Sequence, residues 1–251
     1  MALGPNYDAS PRPYAGAGAA AAETDAGLRA YMLQVYNYMA SGLLLTGIVA
    51  YFAASTPAIL ELLYTASPRG VLEPTILAYI VMFAPLAFIL VLSFGINRIQ
   101  ASTAQALFWV FAVVMGLSVT NIFLTYTGSS IARVFFISAA TFGAMSLYGY
   151  TTKRDLSKFG TFLLMGLIGI VIAGLVNMFL QSSALQFVIS VVGVLVFVGL
   201  TAHDTQAIKL LYAESDSRDT ATKKAVMGAL SLYLDFLNLF MLLLQLFGDR
   251  K

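Results

Sequence analysis

The amino-acid sequence predicts an all-α membrane protein with seven transmembrane helices. Of its 251 residues, 59% are hydrophobic and only 10% are charged, whereas a soluble domain carries about 25% charged residues. Mean hydropathy is +0.84, and seven stretches reach the roughly 20 mostly apolar residues that a helix needs to cross a bilayer. The absence of cysteine and the single histidine exclude a disulfide framework and a multi-histidine zinc site within one chain. The net charge of +2 is too small to indicate nucleic-acid binding.

The chain divides into a short tail and one helical domain. Residues 1–24 are rich in Ala, Gly and Pro and have little to bury, so we expect a disordered N-terminal tail. Residues 25–251 form the seven-helix transmembrane domain, whose short connections favour antiparallel neighbours in a compact bundle. The predicted spans are 30–54, 73–95, 103–127, 130–150, 160–180, 184–208 and 225–247.

The lysines and arginines predict the orientation, because cytoplasmic segments carry the excess of these residues. With a cytoplasmic N-terminus, the external segments hold four of them: Arg69, Arg133, Arg250 and Lys251. The cytoplasmic segments then hold the other ten: Arg12, Arg29, Arg98, Lys153, Arg154, Lys158, Lys209, Arg218, Lys223 and Lys224. Seven spans place the C-terminus outside.

The last span, residues 225–247, carries one formal charge near its middle, Asp235. A charge at membrane depth costs at least ~2.5 kcal/mol, so such a residue faces a partner or water and is a functional candidate. The spacing of the polar and small residues around it places them on one helical face. This seam consists of Gly228, Ser231, Asp235, Asn238 and Gln245.

A second acid, Asp204, lies near the cytoplasmic end of the sixth span. Two carboxyl groups in contact at low dielectric do not both ionise readily, and the pair titrates as a unit. Such a pair fits a proton sensor, a proton relay or a cation site in which protons compete. The alternative is that both acids are structural polar groups, bonded to Ser, Asn or Tyr neighbours.

Two further residues lie at the cytoplasmic boundary near Asp204. Arg98 ends the second span, where a basic residue is expected on topological grounds alone; a functional role requires that it turn towards Asp204. His203 adjoins Asp204, but neighbours on a helix point about 100° apart. We therefore interpret His203 as a helix-end residue facing headgroups, with tuning of the pH response as the minority view.

Several motifs are similar to those of the Bax inhibitor family, the transmembrane Bax-inhibitor-motif proteins. HDTQAIK in the sixth span and LSLYLDFLNLF in the last resemble its paired aspartate motifs. GAMSLYGYTTKRDLSKFG at 143–160 and LRAYMLQVYNYMASGLLLTG at 28–47 resemble its bacterial branch. The resemblance covers about residues 28–248. One departure is His203, where relatives more often carry tyrosine.

The resemblance implies a fold in which the C-terminal helix is central and the other six wrap it. It also implies a pH-sensitive calcium leak in the bacterial inner membrane, gated by Asp204 and Asp235 sharing a proton. The same two acids would be transient calcium ligands, and Arg98 would be a latch that competes for Asp204. His203, Ser231 and Asn238 are candidate modulators. We expect no cofactor, since calcium is the transported ion; the partners are the lipid bilayer, calcium and protons, and a membrane protease.

Two other classes of function remain open. The alternative is a membrane-embedded regulator of a membrane protease or another partner, without transport of its own. A proton-coupled antiporter is a variant of the leak. An intramembrane aspartyl protease also needs two aspartates on adjacent helices. The sequence argues against that enzyme, because Asp235 lies in LYLDF rather than in a Gly-x-Gly-Asp setting and no proline follows Pro85. We expect no enzymatic activity.

Overall fold

The computed structural model describes residues 15–66 and 72–251. Within them the chain forms nine helices and one two-stranded antiparallel sheet, in which Tyr64 pairs with Pro74 and Ala66 with Leu72. The elements are α1 Ala15–Ser55, α2 Pro57–Leu63, β1 Tyr64–Ala66, β2 Leu72–Pro74, α3 Ile76–Gly95, α4 Ala101–Ser118, α5 Asn121–Thr125, α6 Gly128–Thr151, α7 Ser157–Leu180, α8 Ser183–Leu210 and α9 Arg218–Phe247.

The prediction of an all-α protein with seven spans is confirmed. Seven helical stretches among the described residues are long and apolar enough to cross a bilayer, with α4 and α5 together forming the third. Helix α1 begins at Ala15, so residues 15–24 of the predicted tail are helical, as the high helix propensity of alanine favours. Residues 1–14 lie outside the described part of the chain.

Helix starts are set by hydroxyl side chains that cap free backbone N–H groups. The side chains of Thr75, Thr127, Ser182 and Ser217 each accept a hydrogen bond from the N–H three residues later. The Ser217 cap starts α9 at Arg218, seven residues before the predicted span begins at 225. The last helix therefore begins within the charged connection rather than after it.

The third span is broken between α4 and α5, at Val119 and Thr120. The buried Thr120 hydroxyl donates to the carbonyl of Gly116 at 3.2 Å. The hydroxyl therefore competes with a backbone N–H group for this carbonyl, and such competition disturbs the regular hydrogen bonds of an α-helix. No proline lies near the break, so the sequence predicts one continuous helix there.

Helix α9 is the most buried of the seven spans. Of an apolar 18-residue stretch in α9, 61% is buried, against 11–39% in the other six. It packs against α1, α4, α6 and α8, while α3 packs mainly on α4, and α7 on α8. The finer expectation that all six other spans wrap α9 stays a prediction.

The two ends of the bundle are tied together differently. At the end that carries Arg98 and Arg218, which we call the basic end, the N–H of Ala101 at the start of α4 donates to Asp219 Oδ1 at the start of α9 (2.9 Å). The opposite end is the far end, where the N–H of Thr127 donates to the carbonyl of Asp249 (3.0 Å). Which end faces the cytoplasm stays a prediction.

Glycines allow close packing between α7 and α8, as small residues do at helix interfaces in lipid. A Cβ atom added at Gly199 would lie 2.6 Å from Leu163, and one at Gly166 would lie 2.9 Å from Val196. Gly169 and Gly174 have no neighbour within 4 Å at that position. Close packing between the helices therefore uses the first two glycines and not the last two.

Candidate functional site

The two acids line one cleft between α7, α8 and α9, which we call the acid cleft. Its volume is about 630 Å³. The described residues that line it include two carboxyl groups and one imidazole but no lysine or arginine. They are Ser157, Gly160, Thr161, Leu164, Leu167, Phe197, Leu200, His203, Asp204, Ser231, Leu234, Asp235 and Asn238.

Asp235 is the most deeply placed acid of the cleft. Only 5% of its surface is exposed, and its Oδ2 atom is buried without a hydrogen-bond partner among the described residues. An unpaired polar atom at such a depth is costly. The sequence prediction that Asp235 faces inward, rather than towards lipid, agrees with this burial.

Asp204 is less buried and has a partner. His203 Nδ1 lies 2.8 Å from Asp204 Oδ1, and the two side chains are 24% and 26% exposed. The imidazole lies against α7, where a Cβ atom added at Gly160 would be 2.5 Å from its Nε2. The interpretation of His203 as a residue facing headgroups is therefore wrong. A residue adjoining Asp204 contacts it because a side chain rotates about its own bonds, while the 100° rule fixes only the direction of each Cβ atom.

The acids do not share a hydrogen bond in this structure. Asp204 bonds to His203, and Asp235 Oδ2 has no partner. Both side chains nevertheless line the same cleft. The arrangement is therefore one of two separated carboxyl groups facing the same cleft, one paired with an imidazole and one unpaired.

The two other predicted modulators line the cleft without bonding to either acid. Asn238 is exposed, and its Nδ2 donates to the carbonyl of Leu234 at 2.8 Å. Ser231 lies one turn before Asp235 on the same face of α9 and is half-buried. Both residues add polar side chains to the lining of the cleft.

Arg98 is not part of the acid cleft. It is exposed in the connection after α3, and it forms no ion pair in the described part of the chain, whose salt bridges involve other residues. Its backbone N–H donates to Gly95 at 2.8 Å. The structure therefore places Arg98 at the basic end but does not bring it to Asp204.

The opposite side of α9 is closed by aromatic packing. Tyr233 is fully buried, and its ring meets Phe108 and Phe111 edge to face, at centroid distances of 6.3 and 5.2 Å. Its hydroxyl lies 2.7 Å from Thr46 Oγ1, which donates to the carbonyl of Ala112 at 2.8 Å. This side joins α1, α4 and α9, and the hydroxyl groups of Tyr233 and Thr46 are both paired.

A buried chain of hydroxyl groups reaches the residue after Asp204, and sequence reasoning did not find it. Tyr36 Oη lies 2.6 Å from Ser146 Oγ, which lies 3.0 Å from Thr205 Oγ1. Thr205 in turn donates to the carbonyl of Thr201 at 2.7 Å. Because each hydroxyl has one hydrogen to give, the chain runs from Tyr36 through Ser146 to Thr205. Hydroxyl residues on three helices give no sequence signal that they meet.

A polar residue near Asp204 fixes the connection that precedes α7. Gln206 Oε1 accepts from the N–H of Leu156 (2.8 Å), and its Nε2 donates to the carbonyl of Arg154 (2.8 Å). In the same connection, the N–H of Ser157 donates to Asp155 Oδ1 (2.9 Å). That bond holds the pKa of the exposed Asp155 carboxyl below its usual range.

The acid cleft supplies two carboxyl groups as possible oxygen ligands. Residues 15–66 and 72–251 contain no group of three or more His, Cys, Asp or Glu side chains placed to hold a metal. Calcium takes six to eight oxygen ligands in stable protein sites. Two carboxyl groups would leave most of these positions to water.

Comparison with known proteins assigns this chain to a family. The family model described as "Inhibitor of apoptosis-promoting Bax1" matches residues 28–251. Inner membrane protein YbhL of Escherichia coli strain K12 is 49% identical over 228 residues, which cover 90% of this chain and 94% of the relative. RP147 of Rickettsia prowazekii is 49% identical over 227 residues, covering 90% and 92%. A protein of Caulobacter vibrioides is 45% identical over 228 residues, covering 90% and 91%. The chain is thus a membrane protein that belongs to the Bax inhibitor-1 family.

Proposed function

We propose that this protein is a pH-sensitive leak for calcium, or cations of similar size, in the inner membrane. The observation that carries the proposal is Asp235, a buried carboxyl group in a membrane span with an unpaired oxygen that lines the same cleft as Asp204. Intramembrane carboxyl groups mark ion and proton paths, and carboxylate oxygens are hard ligands suited to calcium. The inner membrane is supported by the name of the Escherichia coli relative.

The gating step is the movement of Asp204 between two partners. In the closed state, Asp204 turns from His203 to Asp235 and the acids share one proton. Loss of that proton leaves two like charges at low dielectric, which repel and separate. The observed arrangement, with Asp204 paired to His203 and the cleft open, corresponds to the separated state. Flux therefore rises as pH rises.

Arg98 acts as a latch in this proposal only after a movement of α3. The helix packs mainly on α4, and the arginine is exposed at the basic end. Asp204 lies six residues before the end of α8 at that same end, or about 9 Å along the helix. A displacement of α3 towards α8 would bring the guanidinium to the acid.

Calcium flux through the purified protein in liposomes, measured across a pH series, tests the proposal. We expect Asp204→Asn and Asp235→Asn each to flatten the rise of flux with pH, because neither variant can share and lose the proton. Asp155→Asn is the matched control: Asp155 is exposed outside the spans and is already held ionised by the N–H of Ser157. Wild-type pH profiles in both cleft variants contradict the mechanism.

The same experiment separates the proposal from its competitors. Absence of flux through the wild-type protein at every pH favours a membrane-embedded regulator of a protease or another partner. A dependence of flux on an imposed proton gradient, beyond pH itself, indicates an antiporter. The protein is proposed to have no enzymatic activity, and cleavage of a model transmembrane substrate that Asp235→Ala abolishes would overturn that.

A further inference from the structure

The polar seam of α9 has a counterpart on α8. On α9, Ser231, Asp235, Asn238, Leu242 and Gln245 follow steps of four, three, four and three, so they share one face. The same alternation on α8 gives a second stripe: Gln186, Ser190, Gly193, Phe197, Leu200 and Asp204. The helices are consecutive, antiparallel and closely packed. The two aspartates therefore lie towards the basic end, and the two glutamines lie together towards the far end.

The glutamines belong to a hydrogen-bonded group that we call the amide cluster: Asn177, Gln186, Ser190 and Gln245. Gln186 Nε2 donates to Gln245 Oε1 at 2.7 Å, and Ser190 Oγ donates to the same oxygen at 3.0 Å. Asn177 Nδ2 donates to Gln186 Oε1 at 3.1 Å. Gln245 is exposed and Gln186 half-exposed. The cluster is thus a polar surface on three membrane spans, reachable from outside the bundle.

One apolar contact separates the amide cluster from the acid cleft. Leu242 interrupts the polar stripe of α9 between Asn238 and Gln245, and 9% of its surface is exposed. It lies against α8 where that helix has no side chain: a Cβ atom added at Gly193 would be 2.7 Å from Leu242 Cδ1 and 3.1 Å from Cδ2. The leucine therefore fills the notch that the glycine leaves, and the three atoms nearest to that position all belong to its side chain.

The acid cleft and the amide cluster are separated along α9 by about half the thickness of a bilayer. Gln245 lies ten residues after Asp235, or about 15 Å along the helix axis. The hydrocarbon core of a bilayer is about 30 Å thick. An ion that reached the acid cleft from the basic end would still have half the membrane to cross, and the next polar groups on the seam are those of the amide cluster.

We infer that the amide cluster is the far-end mouth of the ion path, and that Leu242 seated in the Gly193 notch is the barrier between this mouth and the acid cleft. The inference rests on the proposed function and extends it. An apolar constriction blocks ions because water leaves it, while the carbonyl oxygens of Gln186, Gln245 and Asn177 are calcium ligands by type. The acids control one side of the path, and the leucine closes the other.

Cysteine accessibility tests this inference without calcium, since the natural chain has no cysteine. Gln245→Cys and Ser231→Cys are made singly and treated with a charged, membrane-impermeant thiol reagent applied from each face of the membrane. We expect Gln245→Cys to react only from the face of the far end, and Ser231→Cys only from the face of the basic end. A Gln245→Cys protein that reacts from neither face faces lipid, and the inference is then overturned.

The barrier itself is tested by adding Leu242→Ala to both cysteine variants. We expect sidedness to be lost, so that each cysteine reacts from both faces. Leu243→Ala is the matched control: it removes the same atoms from the next buried residue of α9, which points about 100° away from the seam. Leu242→Gln, which keeps the size of the side chain and makes the stripe polar throughout, replaces Leu242→Ala if that variant does not fold. Unchanged sidedness in the folded Leu242 variant overturns the inference.

Flux measurements keep the two proposals distinguishable. If the inference holds, Leu242→Ala raises calcium flux at high pH, where the acids are separated and the leucine is the remaining barrier, and Leu243→Ala does not. If the wild-type protein carries no calcium at any pH, the proposed function fails, while the loss of sidedness in the cysteine assay still decides where the barrier lies.

Discussion

The two sides of α9 are built on different principles. On one side, Tyr233 packs between aromatic rings and its buried hydroxyl is paired with that of Thr46. On the other, two residues along the helix, Asp235 is buried with an unpaired oxygen and faces a cleft of about 630 Å³. The first side joins three helices, whereas the second places a carboxyl group, whose burial without a partner costs free energy, beside the acid cleft. The difference indicates a stabilising role for the first face and, under the proposed function, assigns the activity to the second.

The largest expected effect on stability comes from removing the ring of Tyr233 from the aromatic packing. Tyr233→Ala removes a fully buried ring and is expected to lower the free energy of unfolding by about 3–5 kcal/mol. Tyr233→Phe keeps the ring and loses one hydrogen bond, with an expected cost of about 1 kcal/mol. Thermal or denaturant unfolding in detergent measures both. Equal effects of the two substitutions would show that the hydroxyl, and not the packing, holds this side together.

A substitution on the cleft side is expected to act in the opposite direction. Asp235→Leu removes the buried unpaired carboxyl, whose burial costs about 1–3 kcal/mol, and should raise the free energy of unfolding by a similar amount. The variant should at the same time lose the pH dependence of calcium flux. Asn238→Leu, exposed on the same face, is the control and should leave stability nearly unchanged. A marked loss of stability in Asp235→Leu would mean that the acid is a structural group after all.

The smallest expected effect is at Arg98. Its side chain is exposed and has no ion pair among the described residues, so Arg98→Gln should change the free energy of unfolding by no more than about 0.5 kcal/mol. The pH profile of calcium flux in the same variant is the informative measurement. A changed profile at unchanged stability supports the latch, and an unchanged profile removes Arg98 from the mechanism.

The sequence predicted the spans well because length and apolar character are local properties of a membrane helix. All seven spans were placed within a few residues at most boundaries. The early start of α9 at Arg218 depends on the Ser217 cap, a local signal that could have been used. The break at Val119 could not be foreseen, because it does not interrupt the apolar character of its neighbours. The strands β1 and β2, of three residues each, are too short to show a period in the sequence.

The candidate site was predicted as a set of residues but not as a geometry. Asp204, Asp235, His203, Ser231 and Asn238 do line one cleft, since polar residues at helical spacing must find a common polar surface. The partner of Asp204 was missed because a contact between adjacent residues depends on side-chain rotation, which sequence does not fix. Of the amide cluster, the sequence predicted only that Gln245 lies on the polar seam of α9. The other members of the cluster lie on two other helices, so their contacts with Gln245 left no signal in the sequence.

In the proposed gating step, the hydroxyl chain from Tyr36 through Ser146 to Thr205 favours the arrangement in which Asp204 is paired with His203. Thr205 follows Asp204 directly, so a rotation of α8 that turned the acid towards Asp235 would also displace Thr205, which is bonded to Ser146. Breaking that bond costs about 1–3 kcal/mol if it is not replaced. At 1.4 kcal/mol per factor of ten, the contact between the acids would be a minor species, some five- to 150-fold rarer. Under the proposed function, protonation must therefore supply the free energy of breaking this bond before the two acids meet.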